Sequence, residues 1–207
     1  MAAMTTGSKR EIPHFYVTVD VSMKHAAEWR TEWNASHPKL HVTYNDLFVM
    51  CASHTLGQTP LLRTAYHGGK YQQRPSADIL LAVAQEPAFA LIPLPDPSKL
   101  TWKAFLKAIR RATKMSIIQD ADPLLAISNL GMFGVDSFHA IVNAPQAAIL
   151  AVGRILDRIV AVDGAPAVRP TMTVSLSFDH RVVDGAEGAR FLDTLAALVE
   201  EPAGLVR

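Results

Sequence analysis

Asp179-His180-Arg181-Val182-Val183-Asp184-Gly185, close to the C-terminus, gathers the side chains best suited to proton chemistry. An alternating strand runs into His180, and Asp184 stands where a helix begins. An imidazole ordinarily titrates near ~6.5, so in its neutral form at pH 7 it can take a proton from a thiol or an alcohol. An Asp-Gly turn behind it can hold the geometry. The same residues also have a purely structural explanation. Asp184-Gly185-Ala186-Glu187 is a capping-box-like pattern, with Asp accepting from the first turn and Glu reaching back, and such a cap is worth about 0.5–2 kcal/mol. Asp179 and Arg181 read as a surface ion pair, and His180 alone reads as a satisfied histidine at a strand end.

A base acting on an acyl thioester also needs a donor for the oxyanion of the tetrahedral intermediate. Ile127-Ser128-Asn129-Leu130-Gly131-Met132-Phe133-Gly134 offers one. An apolar strand ends there in Ser-Asn and a Gly-bracketed turn, which leaves the Ser128 hydroxyl at a strand terminus. Ser, Asn and Gly are equally the residues of an ordinary turn, and sequence physics alone cannot bring Ser128 to His180. Cys51 invites a nucleophile reading, but Val49-Met50-Cys51-Ala52 lies in an apolar helix, where an inert core thiol is expected.

The elements that must position these residues follow from periodicity. From His14 to Val21, Phe15, Val17, Val19 and Val21 alternate with His14, Tyr16, Thr18 and Asp20, the pattern of a half-buried strand. A helix opening at about Ser22 carries Ala26, Trp29 and Trp33 and closes before Pro38. Asn45 or Asp46 is expected to cap a second helix, Leu47 to Leu56, that is apolar nearly all round. Asp78 to Ala84 and Ala88 to Leu94 read as apolar strands broken at Glu86-Pro87, followed by a helix from about Trp102 to Thr113. Leu124 to Ser128, His139 to Val142 and Ala147 to Gly153 read as short strands. Asp163-Gly164 reads as the reversal between a strand near Arg154 to Val162 and a longer one, Thr171 to Phe178. A helix from Ala186 to about Glu200 closes the chain, with Pro202 as its stop. Intermixed strands and helices predict a single α/β domain with a mixed β-sheet and flanking helices.

Bulk composition narrows the function classes. The 207 residues suffice for one medium domain, and 49% apolar with 19% charged residues suits a compact globule. A formal net charge of +1, with no basic run beyond Lys107-Ala108-Ile109-Arg110-Arg111, argues against nucleic acid as a partner. A single cysteine precludes an internal disulfide, and no apolar run reaches membrane-spanning length. A cytoplasmic protein with a loose polar arm over residues 1–11 and one domain over 12–207 is expected.

With Asn143-Ala144-Pro145-Gln146-Ala147-Ala148-Ile149-Leu150-Ala151-Val152-Gly153, the His180 and Ser128 segments resemble the catalytic core of dihydrolipoamide acyltransferases. Those are the core components of 2-oxo-acid dehydrogenase complexes and share the chloramphenicol acetyltransferase-like fold. Ile12-Pro13-His14-Phe15-Tyr16 and Asn45-Asp46-Leu47 also sit where that family has similar residues, so the likeness runs from about Ile12 to Leu205. The resemblance implies a general base at His180, a geometry-supporting carboxylate at Asp184 and an oxyanion donor at Ser128. It implies homotrimers in which the histidine of one subunit faces the serine segment of the next, with coenzyme A and a lipoyl arm entering from opposite ends. Neither a metal nor a covalent intermediate is implied. Lipoyl and peripheral-subunit-binding segments are not recognisable in the 207 residues, so the lipoyl group is expected from another polypeptide. The segment Glu86 to Pro93 differs from the family's usual strand. The tail Glu201 to Arg207 resembles the knob that joins trimers into cages, but is less apolar. Two other functions remain compatible with the residues: a non-catalytic trimeric scaffold, and a coenzyme A-dependent acyltransferase with a non-lipoyl acceptor.

Overall fold

A computed structural model describes residues 2–85, 88–114 and 125–205. Six strands form one mixed sheet in the order β1 (His14–Ser22), β8 (Ala165–Asp179), β7 (Ala148–Val162), β6 (Leu125–Asn129), β4 (Ile79–Gln85), β5 (Ala88–Leu94). β6 runs parallel to both β4 and β7, and the remaining pairs are antiparallel. Pro93 is tolerated because β5 is an edge strand, where a missing N–H costs no ladder bond. A separate hairpin pairs β2 (Thr64–His67) with β3 (Lys70–Gln73).

The strand registers sort side chains between two faces. Across the sheet, Ile127, Leu150 and Leu176 fall in one row and point into the main core. That face is covered by α2 (Lys24–Ser36), α3 (Tyr44–Gln58), α4 (Trp102–Lys114) and α5 (Gly185–Glu200), whose Trp33, Phe48, Phe105 and Phe191 are buried there. The neighbouring rows point the other way. Leu80, Ala126 and Ile149 form a smaller buried cluster with Ile12 and Val142, beneath the segment that links β6 to β7.

Several expectations change in the folded chain. The N-terminal segment is a helix, α1 (Ala2–Glu11), and not a loose arm. Lys9 and Arg10 in its last turn suit the negative end of the helix dipole, and Lys9 Nζ donates to the Tyr16 hydroxyl on β1. The α3 cap is Thr43, two or three residues earlier than expected. Its hydroxyl accepts from Asp46 N–H at 3.2 Å while Asp46 Oδ2 accepts from Thr43 N–H at 2.7 Å. His139 to Val142 is not a strand, because the Val142 N–H is spent on the His14 ring at 3.0 Å and not on a ladder. The other ring nitrogen of His14 lies 2.8 Å from the Ile12 carbonyl. The two strands expected at Ala147 to Gly153 and Arg154 to Val162 are one, β7, interrupted by a bulge between Val152 and Ile155. The reversal at Asp163-Gly164 is present, with both residues left-handed at φ 51° and 79°. The expected break at Glu86-Pro87 and the start of β6 at Leu124 lie outside the described residues.

Candidate active site

His180 follows the last residue of β8, and its backbone N–H donates to the Pro13 carbonyl at 3.0 Å. The chain then turns tightly, with the N–H groups of Val182 and Val183 both donating to the Asp179 carbonyl at 2.9 and 3.1 Å. The imidazole is exposed and lies edge-on to Phe15, with ring centroids 5.0 Å apart, and 6.4 Å from Phe178. Among the described residues, its ring nitrogens make no hydrogen bond. The tight turn thus fixes the backbone and two aromatic rings support one side of the imidazole, while both nitrogens stay available.

Asp179 and Arg181 are not a surface ion pair. Asp179 is 3% exposed, and it accepts from Arg181 Nε at 2.9 Å, from an Arg181 guanidinium nitrogen at 2.7 Å and from the Arg181 backbone N–H at 3.0 Å. The fork gives this buried carboxylate a charged partner and three donors. Hydrogen bonding to Asp179 in turn raises the Arg181 guanidinium above its ordinary value. Arg181 also lies over the Tyr66 ring, 4.4 Å from its centroid, and its carbonyl accepts from the Tyr71 hydroxyl at 3.3 Å. The β2–β3 hairpin therefore braces the histidine corner. Sequence reasoning missed it, although Gly68-Gly69 between the Tyr66 and Tyr71 segments is a hairpin signal.

Asp184 is the N-cap of α5, and its Oδ1 accepts from Glu187 N–H at 2.8 Å. The reciprocal half of the expected capping box is missing. Glu187 instead pairs with Arg190, 2.9 Å away and one turn on.

Ser128 is the penultimate residue of β6, partly buried, with Ala82 and Ala151 as its cross-strand neighbours. The turn that follows is held by backbone contacts. Leu130 N–H donates to the Val152 carbonyl at 3.1 Å, and Arg154 N–H to the Val135 carbonyl at 2.8 Å. Asn129 Oδ1 accepts from Gly131 N–H at 2.8 Å, and its amide nitrogen donates to Asn45 Oδ1 at 2.7 Å. Gly131 sits so close to the bulge that a Cβ would lie 2.7 Å from the Gly153 carbonyl oxygen. A Cβ on Gly153 would overlap the Asp136 carbonyl. These close approaches are what the two glycines of the sequence motifs permit.

A cavity of about 300 Å³ opens beside Ser128, walled by Leu80, Val83, Leu91 and Ile149 and also lined by Asn143 and Gln146. Cys51 is wholly buried in α3, and burial pushes its thiol up, away from reactivity. Among the described residues, no group of three or more His, Cys, Asp or Glu could hold a metal ion. No helix among them is long and apolar enough to cross a membrane.

A single chain does not bring Ser128 and His180 together. Ser128 aligns with Ala151 and, through it, with Ser175 on β8, five residues before His180. At ~3.3 Å per residue and ~4.8 Å per strand, the two residues are on the order of 19 Å apart. They also serve different faces. Ser128 lies in the outward-pointing row, whereas the His180 ring packs on Phe15 and Phe178, and Phe178 belongs to the core face.

Topology and site together define a chloramphenicol acetyltransferase-like fold. A solved chloramphenicol acetyltransferase matches 95% of this chain and 94% of its own with a TM-score of 0.62 at 12% identity, a likeness of fold alone. The chain belongs to the 2-oxoacid dehydrogenase acyltransferase (catalytic domain) family, which it matches over residues 1–207. It is 34% identical over 214 residues to the dihydrolipoyllysine-residue acetyltransferase component of the Zymomonas mobilis pyruvate dehydrogenase complex, covering 100% of this chain and 49% of that protein. The chain thus spans about half the length of the curated relatives it matches. A probable dihydrolipoamide acetyltransferase from Listeria monocytogenes has a TM-score of 0.88 at 27% identity, with 97% of this chain and 89% of that one covered. The dihydrolipoamide acetyltransferase of Azotobacter vinelandii, studied for the role of a serine, a histidine and an asparagine in its catalytic mechanism, shares the fold. It has a TM-score of 0.90 at 23% identity over 99% of this chain and 88% of its own.

Proposed function

We propose that the chain transfers an acyl group between coenzyme A and a dihydrolipoyl thiol, in a site completed by a second copy of itself. One observation carries this reading. His180 and Ser128 are each held by a dedicated local framework, yet a single chain keeps them on the order of 19 Å apart. A homotrimer with head-to-tail contacts lets the histidine of one subunit meet the serine of the next. The serine, histidine and asparagine studied in the Azotobacter vinelandii relative have the same spacing as Ser128, His180 and Asp184, which supports those roles.

In the reaction, the His180 imidazole takes the proton of the attacking thiol. The resulting thiolate adds to the thioester carbonyl, and the Ser128 hydroxyl donates to the oxyanion. Collapse breaks the original C–S bond, and the leaving thiolate recovers the proton from the imidazolium. Asp184 holds the turn behind His180 by capping α5. The reaction is placed in the cytoplasm, and assembly beyond the trimer is a separate step.

The test is acetyl transfer from acetyl-coenzyme A to dihydrolipoamide. His180→Ala is expected to lower kcat by about 10²–10⁴ with an unchanged circular dichroism spectrum. Wild-type turnover no faster than that of the variant would overturn the reading in favour of a scaffold. Turnover of an alcohol or amine acceptor alone would favour a non-lipoyl substrate.

A further inference from the structure

The cavity beside Ser128 contains two polar atoms that the fold leaves without partners. Asn143 Oδ1 and Gln146 Oε1 are both buried from solvent, and neither accepts a hydrogen bond. Both residues line the same cavity as Ser128. They lie three positions apart on a turn closed by Gln146 N–H donating to the Asn143 carbonyl at 2.8 Å. Buried carbonyl oxygens are seldom left unpaired in folded chains, so two in one cavity call for a donor from outside the chain.

The lining restricts what that donor can be. Among the described residues no side chain lining the cavity is charged, and its walls are the apolar faces of Leu80, Val83, Leu91 and Ile149. A phosphate or nucleotide would find no counter-charge there. A thioester supplies only acceptors, and a thiol is a weak donor. A neutral chain of methylenes carrying an amide N–H satisfies both the apolar walls and the two oxygens. A volume of about 300 Å³ suits a short arm of that kind.

We infer that Asn143 and Gln146 read the amide of the substrate's thiol arm, accepting its N–H and so setting how deep the sulfur reaches towards Ser128. This rests on the acyl-transfer reading above. Two arms share the chemistry, the amide of a dihydrolipoyl group and the amides of the pantetheine portion of coenzyme A. Each has a matched probe in which an ester oxygen replaces the N–H. Methyl dihydrolipoate is compared with dihydrolipoamide at fixed acetyl-coenzyme A. S,O-diacetyl-2-mercaptoethanol is compared with S-acetyl-N-acetylcysteamine at fixed dihydrolipoamide.

Wild type is expected to prefer the amide over the ester by about 3–10-fold in kcat/KM on one of the two arms, the size of one net hydrogen bond. That arm is the one bound here. Gln146→Met and Asn143→Leu keep the volume and remove the acceptors. They should erase the preference by raising KM for the amide more than for the ester. Their melting temperatures should equal or exceed the wild-type value, because an unpaired buried oxygen is being replaced by an apolar group. Equal amide preference in wild type and both variants would overturn the inference. So would a fall in melting temperature or in trimer content with the preference intact, which would assign the oxygens to the fold or to a neighbouring subunit. Absence of any wild-type turnover is a different result, and it removes the acyl-transfer reading itself.

Discussion

Around His180 the chain is braced by side chains, whereas around Ser128 backbone is packed against backbone. The histidine corner relies on a buried carboxylate forked by Arg181, a tyrosine ring under that guanidinium, and Phe15 and Phe178 against the imidazole. Rotamers can give a little in such a corner. The serine turn relies on Gly131 and Gly153, each so near a carbonyl that no side chain fits, and on ladder-like bonds from Leu130 and Arg154. Nothing there yields without moving the strand. The difference suits the two proposed roles. A base must follow the proton it moves, whereas an oxyanion donor works best when it is already in place.

The largest effect expected from this contrast is complementation between variants. Ser128→Ala should lower kcat by about 10²–10³. Refolding it together with His180→Ala in equal amounts should restore about one site in four, because a head-to-tail ring pairs each histidine with a neighbour's serine. Activity that stays at the level of the separate variants would show that both residues act within one chain, or not at all. Next come two glycines. Gly153→Ala should cost about 3 kcal/mol or more in urea unfolding, since the obstacle is the Asp136 backbone. Gly188→Ala, whose nearest obstacle is the Phe178 ring, should cost about 1–2 kcal/mol because the ring can shift. The reverse order would dissolve the distinction between a yielding corner and a rigid turn.

Asp184 sharpens the comparison further. Asp184→Ala should lose about 1 kcal/mol as the Glu187 N–H goes uncapped, whereas Asp184→Asn keeps a good cap and should keep stability within about 0.5 kcal/mol. If the capping interaction is also the catalytic support, the Asn variant retains activity within tenfold. A stable but inactive Asn variant would mean that the carboxylate acts on His180 directly. Smallest is Tyr71→Phe, which removes an exposed 3.3 Å hydrogen bond to the Arg181 carbonyl and should change stability by less than about 0.5 kcal/mol.

Alternation carried most of the fold. Val174, Leu176 and Phe178 against Thr173, Ser175 and Ser177 mark β8 unmistakably, and the burial of Phe191, Leu192 and Leu195 matches the spacing read for α5. The misread parts share a physical cause, in that backbone groups were satisfied by partners distant in sequence. Val142 bonds to an imidazole 128 positions away, so an apolar run with the pattern of a strand is held without a ladder. Gly153-Arg154 reads as a break but is a bulge in one ladder, because the partner strand continues past it. Asp179 has the residue type of a surface carboxylate, and its burial at 3% exposure depends on packing that the local sequence does not show. For the site, residue types were legible and their arrangement was not. Register alone separates Ser128 from His180, and register is decided by pairing, not by either segment.

His14 restricts proton chemistry along this edge of the molecule. Its Nε2 must accept from Val142 N–H, so its single proton resides on Nδ1 and faces the Ile12 carbonyl. One tautomer satisfies both neighbours. The ring thus acts as a two-ended clasp between the chain's first strand and the segment leading to Asn143. Of the two histidines at this end of the β1–β8 pair, one holds the covering segment in place and only His180 has nitrogens to spare.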